Sequence, residues 1–388
     1  MDKKITDSII YIGVDDKDID LFESQYVVPN GVSYNSYVIM DDKIAIMDTA
    51  DARVTDKWFA NLREALGDRK PDYLVVSHME PDHASNIQTL AEKYPDMKIV
   101  ASAKALSMIP QFFTFDISDR SIVAKEGETL SLGQHTLQFF MAPMVHWPEV
   151  MVSYEQHEKV LFSADGFGKF GALDAEEDWD CEARRYYFNI VGKYGMQVQA
   201  LLKKAATLDI QTICPLHGPI LKENLGHYIG KYDVWSSYQP EDEGVFIAYA
   251  SIHGHTAQAA KKLAHILEEK GAKKVVLADL CRSDLAECVE DAFRYSHLVL
   301  ASASYDAGLF PPMEAFLHKL RAKAYQNRVV ALVENGSWAP SAGKCMKAIL
   351  EPMKNLRMVE PLVSIRSSLK PETEAQLETL ADNLLAAK

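Results

Sequence analysis

Histidine, aspartate and glutamate are the side chains that hold metal ions of intermediate hardness, and they crowd together at one point of this chain, His78-Met79-Glu80-Pro81-Asp82-His83. These four potential ligands directly follow the apolar run DYLVVS. That run reads as a strand, and the carboxyl ends of strands are where α/β proteins build their sites. Pro81 keeps Glu80 out of the helical region, so His78, Glu80 and Asp82 can project from an extended loop while His83 opens the next helix. Such a loop can serve two metals. A plain strand-to-helix turn capped by Asp82 needs no such density. Three further candidates, His146 in APMVHWPEV, Asp165 in LFSADGFG and His217 in TICPLHGP, all stand just past strand-like runs. One histidine in that position is ordinarily structural; the repetition points to a shared centre. Asp48, ending KIAIMD, is a candidate to orient a ligand imidazole, and Trp147, beside His146, to exclude water.

A second constellation lies downstream. After the strand-like run GVFIAYA, Ser251-Ile252-His253-Gly254-His255-Thr256 leads into a helical pattern, and hydroxyls with backbone amides at a helix N-terminus suit a dianionic phosphate. The segment resembles the flavodoxin phosphate loop. Ser302-Ala303-Ser304-Tyr305-Asp306-Ala307-Gly308 follows the third strand of this half, and Glu334-Asn335-Gly336-Ser337-Trp338 follows the fourth. These loops correspond to those that wrap the flavin ring in flavodoxin-like proteins, with Tyr305 and Trp338 as candidate stacking partners. A G-x-G-x-x-G match at Gly166, Gly168 and Gly171 is followed by ALDAEEDWD rather than a helix, which argues against a dinucleotide site. Those glycines are better read as letting backbone pass close to the metals.

The elements that must position these residues fall into two halves. A chain of 388 residues is long enough for two domains. The net charge of −14 argues against nucleic-acid and anionic-membrane partners, and the first 240 residues carry −13 of it. Residues 1–240 mix strand clusters with helices, including one long or kinked helix over CEARRYYFNIVGKYGMQVQALLKKAATL. The polar, breaker-rich YQPEDEG marks a boundary. Residues 241–388 then alternate five apolar strands with helices, which predicts a doubly wound parallel sheet. The five cysteines form no C-x-x-C pair, excluding a disulfide framework, a zinc knuckle or a fused rubredoxin module. The N-terminal segment lacks the apolar core of a signal peptide, and no 18-residue apolar run occurs. The expectation is a soluble, cytoplasmic protein.

Taken in order, H-x-E-x-D-H, a histidine 63 residues later, an aspartate 19 further on and H-G-P resemble the ligand pattern of the flavodiiron proteins. The similarity extends over GVSYNSYVI, HWPEV, RRYYFNIVGKYG and the second half. It implies a metallo-β-lactamase-like αβ/βα sandwich over 1–240 and a flavodoxin-like five-stranded sheet over 241–388. The cofactors it implies are two non-heme irons joined by an oxo or hydroxo bridge, and FMN. By the same resemblance His78, Glu80 and His146 hold one iron, Asp82 and His217 the other, and Asp165 bridges them. His83 is either a ligand of the second iron or a catalytic neighbour that does not reach it. Trp147 and Tyr194 are further catalytic candidates, Tyr194 as a hydroxyl near the bound gas. The 52 residues from Asp165 to His217 are fewer than is usual in the family, so a trimmed loop in ALDAEEDWD with His217 kept in place is expected.

Reducing O2 to two waters takes four electrons, which two irons and one reduced FMN together match; reducing two NO to N2O and water takes two. The resemblance therefore implies an oxidoreductase acting on O2, NO or both. Its partners would be an external donor such as rubredoxin and a second copy of the chain in a head-to-tail homodimer, or a dimer of such dimers. The competing expectation is a dizinc metallo-β-lactamase-type hydrolase regulated by its flavodoxin half. Against it stands Glu80, where the hydrolases carry a histidine; the change makes the donor set harder and better suited to iron.

Overall fold

In the computed structural model, which describes residues 3–387, the chain divides into two compact units. One runs to Tyr187 and resumes over Met196–Asp233; the other takes Phe188–Gly195 and the chain from Val234 onward.

Among the described residues, the first unit has a six-stranded sheet in the order Ile9–Tyr11, Tyr37–Ile39, Ala45–Met47, Tyr73–Val76, Lys98–Ser102, Ser121–Ala124. A five-stranded sheet runs Thr129–Ser131, Thr136–Met141, Met151–Glu155, Val160–Phe162, Thr212–Cys214. The two pack face to face. Tyr37, Met47, Val75 and Val100 from the first meet Phe139, Met151, Phe162 and Cys214 from the second in one buried cluster. Val38, Ile46, Leu74 and Ile99, alternating with that set, are also fully buried, so the first sheet is covered on both faces, as its parallel strands require. The helix Thr55–Leu66 carries buried Trp58, Phe59, Leu62 and Leu66, the one-face spacing of an amphipathic helix. This is the expected sandwich. KIVAS, SIVA and TLS, the source of Lys98–Ser102, Ser121–Ala124 and Thr129–Ser131, are too short to announce themselves by periodicity.

The long or kinked helix expected over residues 181–208 is interrupted. It starts as Trp179–Tyr186, loosens into a π turn over Tyr187–Val191 and a 3₁₀ turn over Gly192–Tyr194, and resumes as Gly195–Ala205. Phe188 stacks on Phe293 at 4.1 Å, Asn189 donates to the Ala286 carbonyl, and Gly195 passes so close to Ser236 and Tyr238 that a Cβ there would clash. Packing needs at those contacts override helix propensity.

Five of the second unit's strands lie in the order Val275–Asp279, Asp242–Ala250, Tyr295–Tyr305, Arg328–Asn335, Leu356–Ile365, all parallel, and a sixth of two residues, Gly308–Leu309, pairs antiparallel with Tyr295–Tyr305. This is the predicted doubly wound sheet. The helices His255–Glu269 and Pro371–Ala386 cover one face, where Ala259, Leu263 and Leu267 pack with Leu377, Leu380, Leu384 and the strand residues Ile247, Val299 and Val333. On the other face Phe246 meets Phe316 of the helix Pro311–Ala322. Leu263 is fully buried at the centre of the first layer. Leu263→Ala is expected to lower stability by about 2–5 kcal/mol, read from urea unfolding of the purified chain.

Candidate functional site

The strand Tyr73–Val76 ends two residues before His78, and the short helix Pro81–Ala84 opens immediately after Glu80, whose backbone is extended as Pro81 demands. His146, Asp165 and His217 come from the loops after Thr136–Met141, Val160–Phe162 and Thr212–Cys214. Both sheets therefore deliver ligand-bearing loops to one edge of the sandwich, where the donors form two groups. His78, Glu80, His146 and Asp165 make one; Asp82, His83 and His217 make the other. Of the seven candidates, His83 falls in the second group, with its Nε2 3.0 Å from that of His217.

Asp165 touches both groups. Its Oδ2 lies 3.0 Å from His146 Nε2 and 3.4 Å from His78 Nε2, while its Oδ1 lies 3.3 Å from His83 Nε2 and 4.0 Å from His217 Nε2. Glu80 Oε2 sits 3.2 Å from His78 Nε2 and 3.1 Å from His146 Nε2, and Asp82 Oδ2 3.3 Å and 3.2 Å from His83 and His217. Both carboxylate oxygens of Asp82 and Asp165, and Nε2 of His146, are buried without a hydrogen-bond partner. Buried polar atoms are rarely left so. Lone pairs converging in this way suit cations, one to each group, and the donor set of carboxylates and imidazoles suits iron better than a thiolate-seeking metal.

The imidazoles and carboxylates of the two groups shift one another's protonation. Burial pushes the His146 imidazole down, but Asp165 and Glu80 outweigh it and raise it to about 9. His78 and His83 are raised in the same way, against burial, by Asp165 with Glu149 and Glu80, and by Asp82 with Asp165. Asp165 is held well below the carboxylate range: burial would raise it, and the charges of His78, His146 and His83 reverse that.

The ligands are oriented from behind. His78 Nδ1 is 2.8 Å from Glu149 Oε1, which also accepts the Met79 amide, and His217 Nδ1 is 2.8 Å from the Ser33 carbonyl. Each contact turns a bare Nε2 inward. Glu149, three residues after His146 in HWPEV, was accessible to sequence reasoning as an acid in a ligand loop; the Ser33 carbonyl carries no signal. Asp48, expected to orient an imidazole, instead accepts the backbone amides of Ser77 and, more weakly, His78. Burial pushes it up to about 6. Trp147 meets His78 edge to face at 5.2 Å, and Phe22, Tyr186 and Tyr34 surround the His217 ring. Tyr194 belongs to the segment that packs with the second unit. The phenol that shares the field of Asp165, Asp82 and Glu80 is that of Tyr186, raised first by burial and then by those charges. Gly168 lies so near that a Cβ would come within 3.5 Å of His217 Cβ. Asp48, Met144, Ala164 and Phe167, all non-glycine residues with positive φ, flank the ligands, the clustering of backbone strain that marks functional sites. An open cleft of about 380 Å³, lined by Leu21, Phe22, Tyr34, Glu80 and Asp82 among others, leads to the centre.

In the second unit the three loops follow adjacent strands and are neighbours in space, since Ala250 pairs with Ser302 and Ala303 with Asn335. Gly254 takes φ 90° ahead of the helix His255–Glu269, whose N-terminus has no side-chain cap; the Gly254 amide instead bonds the Ser251 hydroxyl at 3.1 Å. Uncapped first-turn amides beside Thr256 suit a phosphate. His253 and His255 are exposed. Ser304 accepts the amides of Ser341 and Ala342, Asn335 exchanges hydrogen bonds with Ser367, and Ser337 bonds the Ser367 hydroxyl. These side chains brace their loops. Ser302 is buried, its hydroxyl bonded to the Ala303 carbonyl. Asp306 and Ala307, both at positive φ, form the turn that brings Gly308 back to Tyr305, and Gly336 allows a close approach to Pro340. Tyr305 and Trp338 stand 46% and 87% exposed at the rim, surfaces on which a flat ring can stack.

Removing the Glu149 carboxylate should loosen His78: Glu149→Gln is expected to weaken metal binding about 10–100-fold, measured by chelator competition. The pH response of the metal-free protein has a definite sign. His146 at about 9 in the folded state, against 6.5 unfolded, contributes stability that is fully present below 6.5 and lost as pH rises through 9. Thermal unfolding of metal-free protein should thus shift to lower temperature across that window, with metal-loaded protein unaffected.

The model for the ODP family beta lactamase matches residues 32–218. The chain is 29% identical to the nitric oxide reductase of Moorella thermoacetica over 370 residues, covering 92% of this chain and 91% of that one. It is 31% identical to diflavin flavoprotein A 1 of Synechocystis over 308 residues, 77% of this chain, and spans about half (52%) of that longer relative. The solved structure of rubredoxin oxygen:oxidoreductase from Desulfovibrio gigas superposes with a TM-score of 0.92 at 27% identity, covering 99% and 97% of the two chains. The likeness to that nitric oxide reductase and that rubredoxin oxygen:oxidoreductase runs the length of the chain, and its first unit holds two donor groups that share one aspartate.

Proposed function

We propose that this chain is a flavodiiron reductase that converts O2 to water, NO to N2O, or both, at two irons in its first unit, with electrons passed through FMN in its second. The observation that carries the reading is Asp165, whose two oxygens face two separate groups of buried donors in a chain that also presents flavodoxin-type loops. His78, Glu80 and His146 would hold one iron and Asp82, His83 and His217 the other, with Asp165 spanning them. Ser251, Gly254 and Thr256 with the uncapped helix end would receive the FMN phosphate, and Tyr305 and Trp338 its ring. When bound, the irons and flavin would supply the electrons.

The protein's own part is placement and exclusion. Glu149 and the Ser33 carbonyl fix two imidazoles, Trp147 shields His78, and Tyr186, its phenol raised above the usual range, keeps its proton beside the carboxylates. The relatives' names support a donor of the rubredoxin type. A head-to-tail homodimer in the cytoplasm completes the proposal. Among the described residues no helix is long and apolar enough to cross a membrane. Glu80 and the relatives' reductase names favour this reading over a dizinc hydrolase.

The test is metal and flavin content, followed by stopped-flow mixing of the reduced protein with O2 or NO. Two irons and one FMN per chain are expected, with flavin reoxidised by at least one gas. Asp165→Asn should cut gas-driven reoxidation by a factor on the order of 10² or more while leaving FMN bound. Zinc in place of iron, or peroxide as the main product from O2, rejects the proposal.

A further inference from the structure

Beneath the helix Gly195–Ala205 the first unit holds a cavity whose exposed wall is apolar, since the two polar side chains that line it, Ser163 and Lys204, direct their hydroxyl and ammonium groups to the carbonyls of Gly166 and Met141. Alternation along the second sheet makes one side of it. Phe139, Met151 and Phe162 face the sandwich core, which turns Phe140, Val152 and Leu161 outward toward the helix. The helix supplies Val198, Leu201, Leu202 and Ala205, at the spacing of a single face. The cavity leaves about 20 Å³ for the centre of a water-sized sphere, room for one very small molecule.

Its remaining wall is the back of the metal loops. Val145, Gly166 and Phe167 line it; Val145 precedes His146 and Gly166 follows Asp165. That wall is fixed rather than free to collapse. The Phe167 amide donates to the Tyr232 hydroxyl at 2.6 Å, the two rings pack at 4.3 Å, and a Cβ on Gly166 would press within 3.0 Å of the Ser163 carbonyl. Interiors of this kind normally close such voids, and water does not settle where it finds no polar partners. The open cleft on the other approach is lined by Asp20, Asp51, Glu80 and Asp82 and is a place for water.

We infer that this cavity is a docking site for an apolar diatomic gas beside the ligand loops, concentrating O2 or NO on the dry side of the centre. The inference rests on the reductase reading above, and its test separates the two. The iron- and FMN-loaded protein is crystallised and pressurised with xenon, and its turnover is measured against gas concentration with reduced rubredoxin as donor. Xenon is expected in the cavity. Val198→Phe, which fills it from the helix side, should abolish that xenon site and raise KM for the gas by about threefold or more with kcat unchanged at saturation, iron and FMN content being equal. Should that variant misfold, Leu202→Ala, which enlarges the cavity, should raise xenon occupancy. No xenon in the wild-type protein, unchanged KM in Val198→Phe, or unchanged occupancy in Leu202→Ala overturns the inference. Wild-type protein that consumes neither gas overturns the reductase reading; xenon in the cavity then still upholds the gas site, and an empty cavity removes that as well.

Discussion

The first unit is organised around a repulsion. Three carboxylates and four imidazoles point their lone pairs at one buried space, an arrangement that costs several kcal/mol per unpaired charge unless something positive sits among them. Hydrophobic packing elsewhere must hold the donors there, which explains the architecture. Loops from both sheets meet at one edge, and beneath them Tyr37, Phe139, Met151 and Phe162 lock the sheets together. Asp165 is the tightest constraint, since one side chain must satisfy two groups. The left-handed backbone at Ala164 just before it and at Phe167 just after it is the local cost of aiming it so.

Behind the donors stands a second set of contacts with a different task. Glu149 and the Ser33 carbonyl act on imidazoles, whereas Asp48 acts on the backbone that carries them. Asp48 thereby fixes where the loop leaves the strand Tyr73–Val76, and Glu149 fixes how His78 turns within it. Strand end, loop and ring are set in sequence, each by a buried hydrogen bond.

The ligand loops were legible because chemistry concentrates there: four potential ligands in six residues, and three more at equivalent strand ends, have no economical structural explanation. The doubly wound sheet was legible because strictly alternating β and α runs admit few topologies. Three short strands of the first unit, Lys98–Ser102, Ser121–Ala124 and Thr129–Ser131, were not, because three to five residues cannot establish a period. A kink in the helix over 181–208 was left open, but its place at Tyr187–Tyr194 was not legible, because it is imposed by Phe293, Ala286 and Tyr238, residues 43 to about 100 positions away that no local pattern reveals. The same blindness separated Tyr194 from Tyr186. Both lie in one tyrosine-rich segment, and only the path of the backbone determines which phenol shares the field of the carboxylates. Ser304 and Asn335 show the converse, hydroxyl and amide groups in the right loops that are spent on bracing them.

Charge explains why both donor groups belong together. Glu80, Asp82 and Asp165 bring three negative charges to the centre, and Glu149 and Asp48 stand immediately behind with two more. A single divalent cation would leave most of that charge buried and uncompensated. Two divalent cations come within one charge of balancing it, and the small surplus is negative, which also accommodates a further positive charge on oxidation. Buried anions paired in this way stabilise rather than strain a fold. The charge balance therefore favours two cations over one at this centre. Asp165 faces both groups, so a cation in either one would fix a carboxylate that the other also uses.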